Sequence, residues 1–186
     1  MKARKECGAC PVLVFEFVIA VLLIVVAAAV RILPHPINFT PIGAMAVFSG
    51  ALFRNRWAAF LLPLTALFAG DLFTGLYKLM FIVYISFAVS VAIGRWLAHT
   101  RKLARIGGAV FLGALQFFLV TNFALWILGG FYTRTTAGLS SCFANALPLF
   151  RNTLAGDAFY AVVLFGGYAL AEQLFRFRHS HSVRAL

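Results

Sequence analysis

The side chains that could carry out chemistry in this chain are few, and the acidic ones are the most informative. Only five Asp and Glu residues occur among 186, and two of them, Asp71 and Asp157, interrupt long apolar runs. A charged group at helix depth in a membrane costs about 2.5–3.5 kcal/mol on insertion scales, so each carboxylate needs a partner or a hydrated cavity. The two could close helix ends as ion pairs, share a proton as a catalytic pair, or bind a polar solute.

A second concentration of polar and aromatic groups lies in the proline-rich segment 31–44, RILPHPINFTPIGA. Its three prolines keep the backbone extended or turned, because proline fixes φ and breaks a helix interior. His35, Asn38 and Thr40 supply hydrogen-bonding groups there, and Phe39 supplies a flat face. A rigid loop of this kind suits recognition of a ligand by a preformed surface; a stiff connector between two helices is the alternative.

We expect the polar and aromatic residues near one membrane face to form a pocket for a small solute, because convergent polar groups under an apolar shell are typical of such sites. Arginines would pair with acidic groups of the solute, asparagines would orient hydrogen bonds, and aromatic rings would stack on a planar group. The candidate binding residues are Arg31, His35, Asn38, Phe39, Thr40, Asp71, Asn122, Trp126, Arg151, Asn152 and Asp157.

Patterns of familiar enzymes and metal sites are missing from the chain. It has no phosphate-binding loop of the Gly-x-x-x-x-Gly-Lys type, no His-Glu-x-x-His and no Gly-x-Ser-x-Gly. Cys7 and Cys10 have metal-site spacing, but no second pair lies nearby to complete four ligands. We therefore predict no catalytic residue, no metal and no cofactor; an intramembrane enzyme that uses Asp71 and Asp157 is the less favoured alternative.

The elements that must position these residues are long apolar runs. Hydrophobic residues make up 63% of the chain and charged residues 11%, against about 45–50% and about 25% in soluble domains. A helix of about 20 apolar residues crosses a bilayer core. We predict an all-α integral membrane protein, with one transmembrane domain over residues 1–186 and a short re-entrant or interfacial helix at residues 137–150. The six predicted spans, the second of them short, are residues 11–30, 42–53, 57–76, 79–97, 106–131 and 153–175.

The basic residues predict the orientation of these spans. With the N-terminus in the cytoplasm, twelve of the sixteen Lys and Arg residues fall in cytoplasmic segments, as the positive-inside rule requires. Residues 1–10 and the basic tail 176–186 are then cytoplasmic, and the protein lies in the cytoplasmic (inner) membrane. The net charge of +11 is accounted for by contacts with anionic lipid, so we predict a lipid bilayer and no nucleic acid as partner.

Several long motifs resemble a family of bacterial membrane proteins that carries a domain-of-unknown-function label and is described as candidate transport proteins. The similarity spans roughly residues 31–160. Ile37 stands where that family commonly has a further proline. The motifs that carry the resemblance are Arg31-x-x-Pro34-His35-Pro36-x-Asn38-Phe39-Thr40-Pro41-Ile42-x-Ala44, then Asp71-Leu72, residues 118–123 (FLVTNF) and residues 148–157 (PLFRNTLAGD).

That family is in turn similar to the substrate-binding S components of energy-coupling-factor vitamin transporters, which are six-helix proteins of about this size. The resemblance implies a membrane transport protein that captures a vitamin or related metabolite with its outer loops. It also implies a membrane energising module with ATPase subunits as a partner, in keeping with the missing phosphate-binding loop. A membrane scaffold or transporter subunit without a solute of its own is the alternative.

Overall fold

The protein is helical throughout the part of the chain that its computed structural model describes, residues 9–30, 36–97 and 102–184. Six helices and no strand occur in these ranges, which confirms the predicted all-α fold. The helices are α1 (Ala9–Val30), α2 (Ile42–Leu52), α3 (Arg56–Thr74), α4 (Met80–Leu97), α5 (Leu103–Leu128) and α6 (Thr136–Arg184).

Among the described residues, four helices, α3 to α6, are long and apolar enough to cross a membrane, and shorter apolar stretches are Phe17–Val30 of the 22-residue α1 and Ile42–Leu52, which is α2. Large apolar side chains point outward from the bundle, among them Leu61, Phe81, Phe111 and Val162. So large an exposed apolar surface is rare on a monomeric protein in water, whereas it is expected for a protein surrounded by lipid. Several helices are thus suited to the membrane, while the count of six spans and the side that each loop faces remain predictions.

Helix α2 is the core of the bundle. It contacts all five other helices, most extensively α4, and nine of its eleven residues are buried. A helix that is apolar all round is expected to be enclosed by others. One glycine of each helix permits the close approach of α2 and α4: a Cβ on Gly50 would collide with the Val91 carbonyl of α4, and one on Gly94 with the Val47 carbonyl of α2. Small residues therefore serve packing inside the bundle.

The connection from α2 to α3 is fixed by side-chain hydrogen bonds. The Ser49 hydroxyl donates to the Ala59 carbonyl at 2.7 Å. The Asn55 side chain accepts from the Trp57 N–H at 2.9 Å and so caps the first turn of α3. Gly75, with φ of 100°, ends α3 in a conformation that other residues rarely adopt.

The prediction of a separate short helix before the last span is wrong, because α6 is continuous. The segment 137–150, expected as a separate re-entrant or interfacial helix, and the last span, 153–175, form a single helix. Pro148 lies inside this helix, as Pro63 lies inside α3. An interior proline removes one hydrogen bond and costs about 3 kcal/mol, which apolar, helix-forming sequence on both sides and packing against α5 and α2 outweigh.

Candidate functional site

A cavity of about 250 Å³ opens at the end of the bundle where the 36–41 loop, the first turn of α2 and the α3–α4 connection meet. Residues from the 36–41 loop, from the α3–α4 connection and from each of the helices α2 to α6 line it, and the wall includes the rings of Phe87 and Phe117. Its polar lining consists of Asn38, Thr40, Tyr77, Ser90, Thr153 and Asp157. Three of the predicted site residues, Asn38, Thr40 and Asp157, are therefore brought together.

A second, smaller cavity of about 110 Å³ lies beside the first. The two share Asn38, Phe117 and Thr153 as lining residues, so they are neighbours rather than separate sites. Asn122, another predicted site residue, lines the smaller one. Its side-chain amide already donates to the Phe118 carbonyl at 2.8 Å, one turn back along α5.

Asp157 joins α6 to the start of α2. Its side chain is buried, and Oδ1 accepts a hydrogen bond from the Ala44 N–H at 3.0 Å. A Cβ on Gly43 would collide with the same carboxylate, so only glycine allows this close approach. The first N–H groups of a helix have no partner within the helix and carry partial positive charge. The carboxyl group of Asp157 supplies a hydrogen-bond acceptor at that position.

The 36–41 loop is held in one conformation above the cavity. The Phe39 N–H donates to the Pro36 carbonyl at 3.0 Å across a tight turn. Asn38, within that turn, has φ of 63°, a left-handed conformation that asparagine tolerates better than most residues. The amide of Asn152, on α6, donates to the Ile37 carbonyl at 3.0 Å. Asn152 therefore positions the loop rather than lining a cavity.

Aromatic and small residues complete the attachment of the loop to α6. The Phe39 ring lies 5.9 Å from that of Phe159 and 5.8 Å from that of Tyr160, measured between centroids. A Cβ on Gly156 would come within 3.1 Å of the backbone of Phe39 and Thr40. The ring of Phe39 is therefore engaged in packing, and we find it outside the lining of both cavities.

Two side chains of the loop present hydrogen-bonding groups to the cavity. Neither the Asn38 amide nor the Thr40 hydroxyl has a hydrogen-bond partner among the residues that the structure describes. The Thr153 hydroxyl, in contrast, donates to the Leu149 carbonyl at 3.0 Å within α6. Asn38 and Thr40 are thus the polar groups at this site that a ligand could engage without breaking an existing bond.

Asp71 has a different environment from Asp157. It is fully buried and accepts a hydrogen bond from the Tyr84 hydroxyl at 2.9 Å, which ties α3 to α4. It lines neither cavity, although Leu67, one turn earlier, and Tyr77, in the following turn, line the larger one. The hydrogen bonds described here for the two aspartates join different pairs of helices, α3 with α4 for Asp71 and α6 with α2 for Asp157.

The remaining predicted residues are placed away from the cavities or outside the described ranges. Arg151 is exposed and lines neither cavity. The Trp126 indole donates to the Thr133 carbonyl at 2.9 Å and packs against Phe123. Arg31 and His35 lie outside the described residues.

Sequence reasoning missed the inner end of the larger cavity. Ser90, from α4, lies there with Gly113, from α5. The Gln116 amide donates to the Ser90 hydroxyl at 2.9 Å and to the Ser86 carbonyl at 2.8 Å. The signal in the sequence was weak, since Ser86, Ser90 and Gln116 interrupt apolar runs in two consecutive helices but each is ordinary there on its own.

The chain belongs to DUF6580, a family of unknown function, whose family model matches residues 13–180. No curated protein and no solved structure matches it.

Proposed function

For this member of DUF6580 we propose that it is a membrane transport protein of the S-component type, which binds a small solute in the cavity beneath the 36–41 loop. The observation that carries the proposal is the pair of side chains, Asn38 and Thr40, that offer hydrogen-bonding groups to a cavity of about 250 Å³ walled by aromatic rings.

The cavity has the features expected of a small-molecule site. Such sites are concave, mostly apolar and lined by a few polar groups, with volumes of about 300–1,000 Å³ for drug-sized ligands. Cavities of about 250 and 110 Å³ that share three lining residues are of the right order for a smaller metabolite. The loop is already fixed by Asn152 and by packing on α6, so little ordering cost would be added on binding.

Transport from the outer face is the second part of the proposal. In the predicted topology the first loop, the turn before α4 and the start of the last span all face outward, and Asn38, Tyr77 and Thr153 from these parts line the cavity. The chain carries no phosphate-binding loop, so energy would come from a partner such as a membrane module with ATPase subunits. A scaffold or subunit without a solute is the alternative.

A variant that fills the cavity tests the proposal. Gly113 lines the cavity, and an added Cβ would lie at contact distance from Val47 and from the Ser90 hydroxyl, 3.4 and 3.5 Å. The Cβ is therefore accommodated, and the two methyl groups that Gly113→Val adds beyond it should take up cavity space; folding of the variant is checked by its unfolding transition. Gly108→Val is the matched control, because Gly108 lies on the same helix with nothing within 4 Å of an added Cβ.

The readout is the shift in unfolding temperature when vitamins, their precursors and related metabolites are added to detergent-solubilised protein. A ligand that binds only the folded state raises its stability through linkage. We expect at least one compound to stabilise the wild-type protein and Gly108→Val but not Gly113→Val. A well-folded wild-type protein that no compound stabilises would favour the scaffold instead.

A further inference from the structure

The ionisable side chains that line the two cavities limit the kinds of ligand that the cavities can bind. Among the described residues, no lysine or arginine lines either cavity, and Asp157 is the single acidic side chain that does. Arg151, expected from the sequence to pair with acidic groups of a solute, is exposed and lies outside both linings. An anion in the cavity would thus have no basic side chain from this part of the chain as a counter-charge.

The start of α2 is the other place where an anion could bind. Helix N-termini attract anions through unpaired N–H groups and the helix dipole, and discontinuous helices of transporters use this for acidic substrates. Here Asp157 from α6 occupies that position, where Oδ1 accepts from the Ala44 N–H at 3.0 Å. The partial positive charge of the helix end is already matched by a carboxylate of the protein itself.

The rest of the lining suits an uncharged molecule. Asn38 and Thr40 lie at one end of the larger cavity, and the Ser90 hydroxyl, held by the Gln116 amide, lies deeper in the bundle. Between the helices, the rings of Phe87 and Phe117 lie 5.1 Å apart, measured between centroids, and form part of the wall. Neutral hydrogen-bonding groups beside aromatic faces match a molecule with a planar or apolar body and polar substituents.

We propose that the cavity selects a small uncharged molecule of this kind and discriminates against its carboxylate or phosphate analogues. This inference rests on the proposed solute-binding function and goes further by naming the ligand class. The physical reason is that an anion would lose its hydration on entry, would meet no basic side chain among the described lining residues, and would lie beside the acidic side chain of Asp157. We expect an uncharged compound to bind at least about tenfold more tightly than its anionic counterpart.

Matched pairs of compounds test the selectivity directly. The probes are nicotinamide and nicotinate, benzamide and benzoate, and pyridoxine and its phosphate ester, each titrated into purified full-length protein while the unfolding temperature is followed. Gly113→Val and Gly108→Val report whether a shift comes from the cavity. Small molecules that co-purify with the wild-type protein are identified in parallel by mass spectrometry.

The outcomes separate this inference from the proposed function. Stabilisation by uncharged compounds alone, lost in Gly113→Val and kept in Gly108→Val, supports both. Stabilisation by anionic compounds, or a co-purifying carboxylate or phosphate, with loss in Gly113→Val, would overturn the ligand class and leave solute binding intact. No stabilisation by any probe, together with no co-purifying molecule, would contradict the proposed function and this inference with it.

Discussion

Asp157 shows how one buried carboxylate can hold two helices together. It was predicted as a solute-binding residue, and it lines the cavity, but its nearest hydrogen-bond partner is the Ala44 N–H of α2. The Asp157 side chain thus lines the cavity and also holds α6 against the start of α2, which is another part of the cavity wall. Sequence could locate this residue, because a lone aspartate in an apolar run is costly, but it could not identify a backbone N–H as the partner.

Replacing Asp157 should weaken the attachment of α6 to α2. Asp157→Ala leaves the Ala44 N–H without its acceptor, and a buried donor left unpaired costs about 1–3 kcal/mol. Asp157→Asn keeps an acceptor oxygen and should lose less. The measurement is the unfolding temperature in detergent, with Arg151→Ala as a control expected to change stability by no more than about 0.5 kcal/mol, since Arg151 is exposed. Equal effects of Asp157→Ala and Arg151→Ala would contradict this role.

The backbone conformation of Asn38 and its side-chain amide can be tested separately, the first through stability and the second through ligand binding. Glycine accepts φ of 63° without strain, whereas alanine at such an angle costs about 1–2 kcal/mol. Asn38→Gly should therefore abolish or weaken ligand binding while stability is kept, and Asn38→Ala should lose both. Binding is measured by titration and stability by thermal unfolding. Retained affinity in Asn38→Gly would show that the amide does not contact the ligand.

Sequence predicted the outer part of the candidate site better than its inner part. Asn38, Thr40 and Asp157 stood out because their groups are polar in a proline-rich loop or charged in an apolar run. Ser90 and Gly113 did not, because a serine that can bond within its own helix and a glycine in an apolar run are ordinary in membrane helices. Their part in the cavity depends on which helices are neighbours, and the apolar pattern of one helix does not indicate its neighbours.

At the scale of the elements, α2 organises the bundle and its glycine contact with α4 is the tightest. Gly50 and Gly94 bring each helix against a carbonyl group of the other. Helix α2 was predicted from a short apolar run, residues 42–53, and the structure has a helix there, Ile42–Leu52. The continuity of α6 was not predicted, since Pro148 was given more weight than the helix-forming sequence around it.

Alanine at these glycines should test the α2–α4 contact. Gly50→Ala and Gly94→Ala would each press a methyl group against backbone, which cannot move aside as a side chain can. Overpacking of this kind costs about 1–3 kcal/mol or more, so we expect a clear fall in unfolding temperature. Gly108→Ala, with open space around its Cβ, should leave the unfolding temperature unchanged or slightly higher. A tolerated Gly50→Ala would contradict the close approach.

At the scale of the whole molecule, the sequence could predict which connections lie at the same end of the bundle. Which face of the membrane that end occupies is a separate prediction. The predicted alternation of spans places the first loop, the α3–α4 connection and the start of the last span, at Thr153, at the same end, and Asn38, Tyr77 and Thr153 line one cavity. The helical fold is the same for either orientation. The direction of insertion therefore rests on the distribution of basic residues alone.

Cysteine labelling in intact cells tests the orientation. In a background without the three native cysteines, Lys78→Cys, in the turn between α3 and α4, should react with a membrane-impermeant thiol reagent. Lys102→Cys, before α5, should react only after the membrane is permeabilised. Both side chains are exposed in the folded protein, so access depends on the side of the membrane. The opposite labelling pattern would place the cavity on the cytoplasmic face and contradict uptake from outside.

The central claim is that the cavity beneath the 36–41 loop holds a small molecule, and the most direct measurement is mass spectrometry of what remains bound after purification. Wild-type protein, Gly113→Val and Gly108→Val are purified in the same detergent and their small-molecule content is compared. We predict an uncharged metabolite that is present with the wild-type protein and Gly108→Val and absent from Gly113→Val. A bound-molecule content identical in all three folded proteins would contradict the claim.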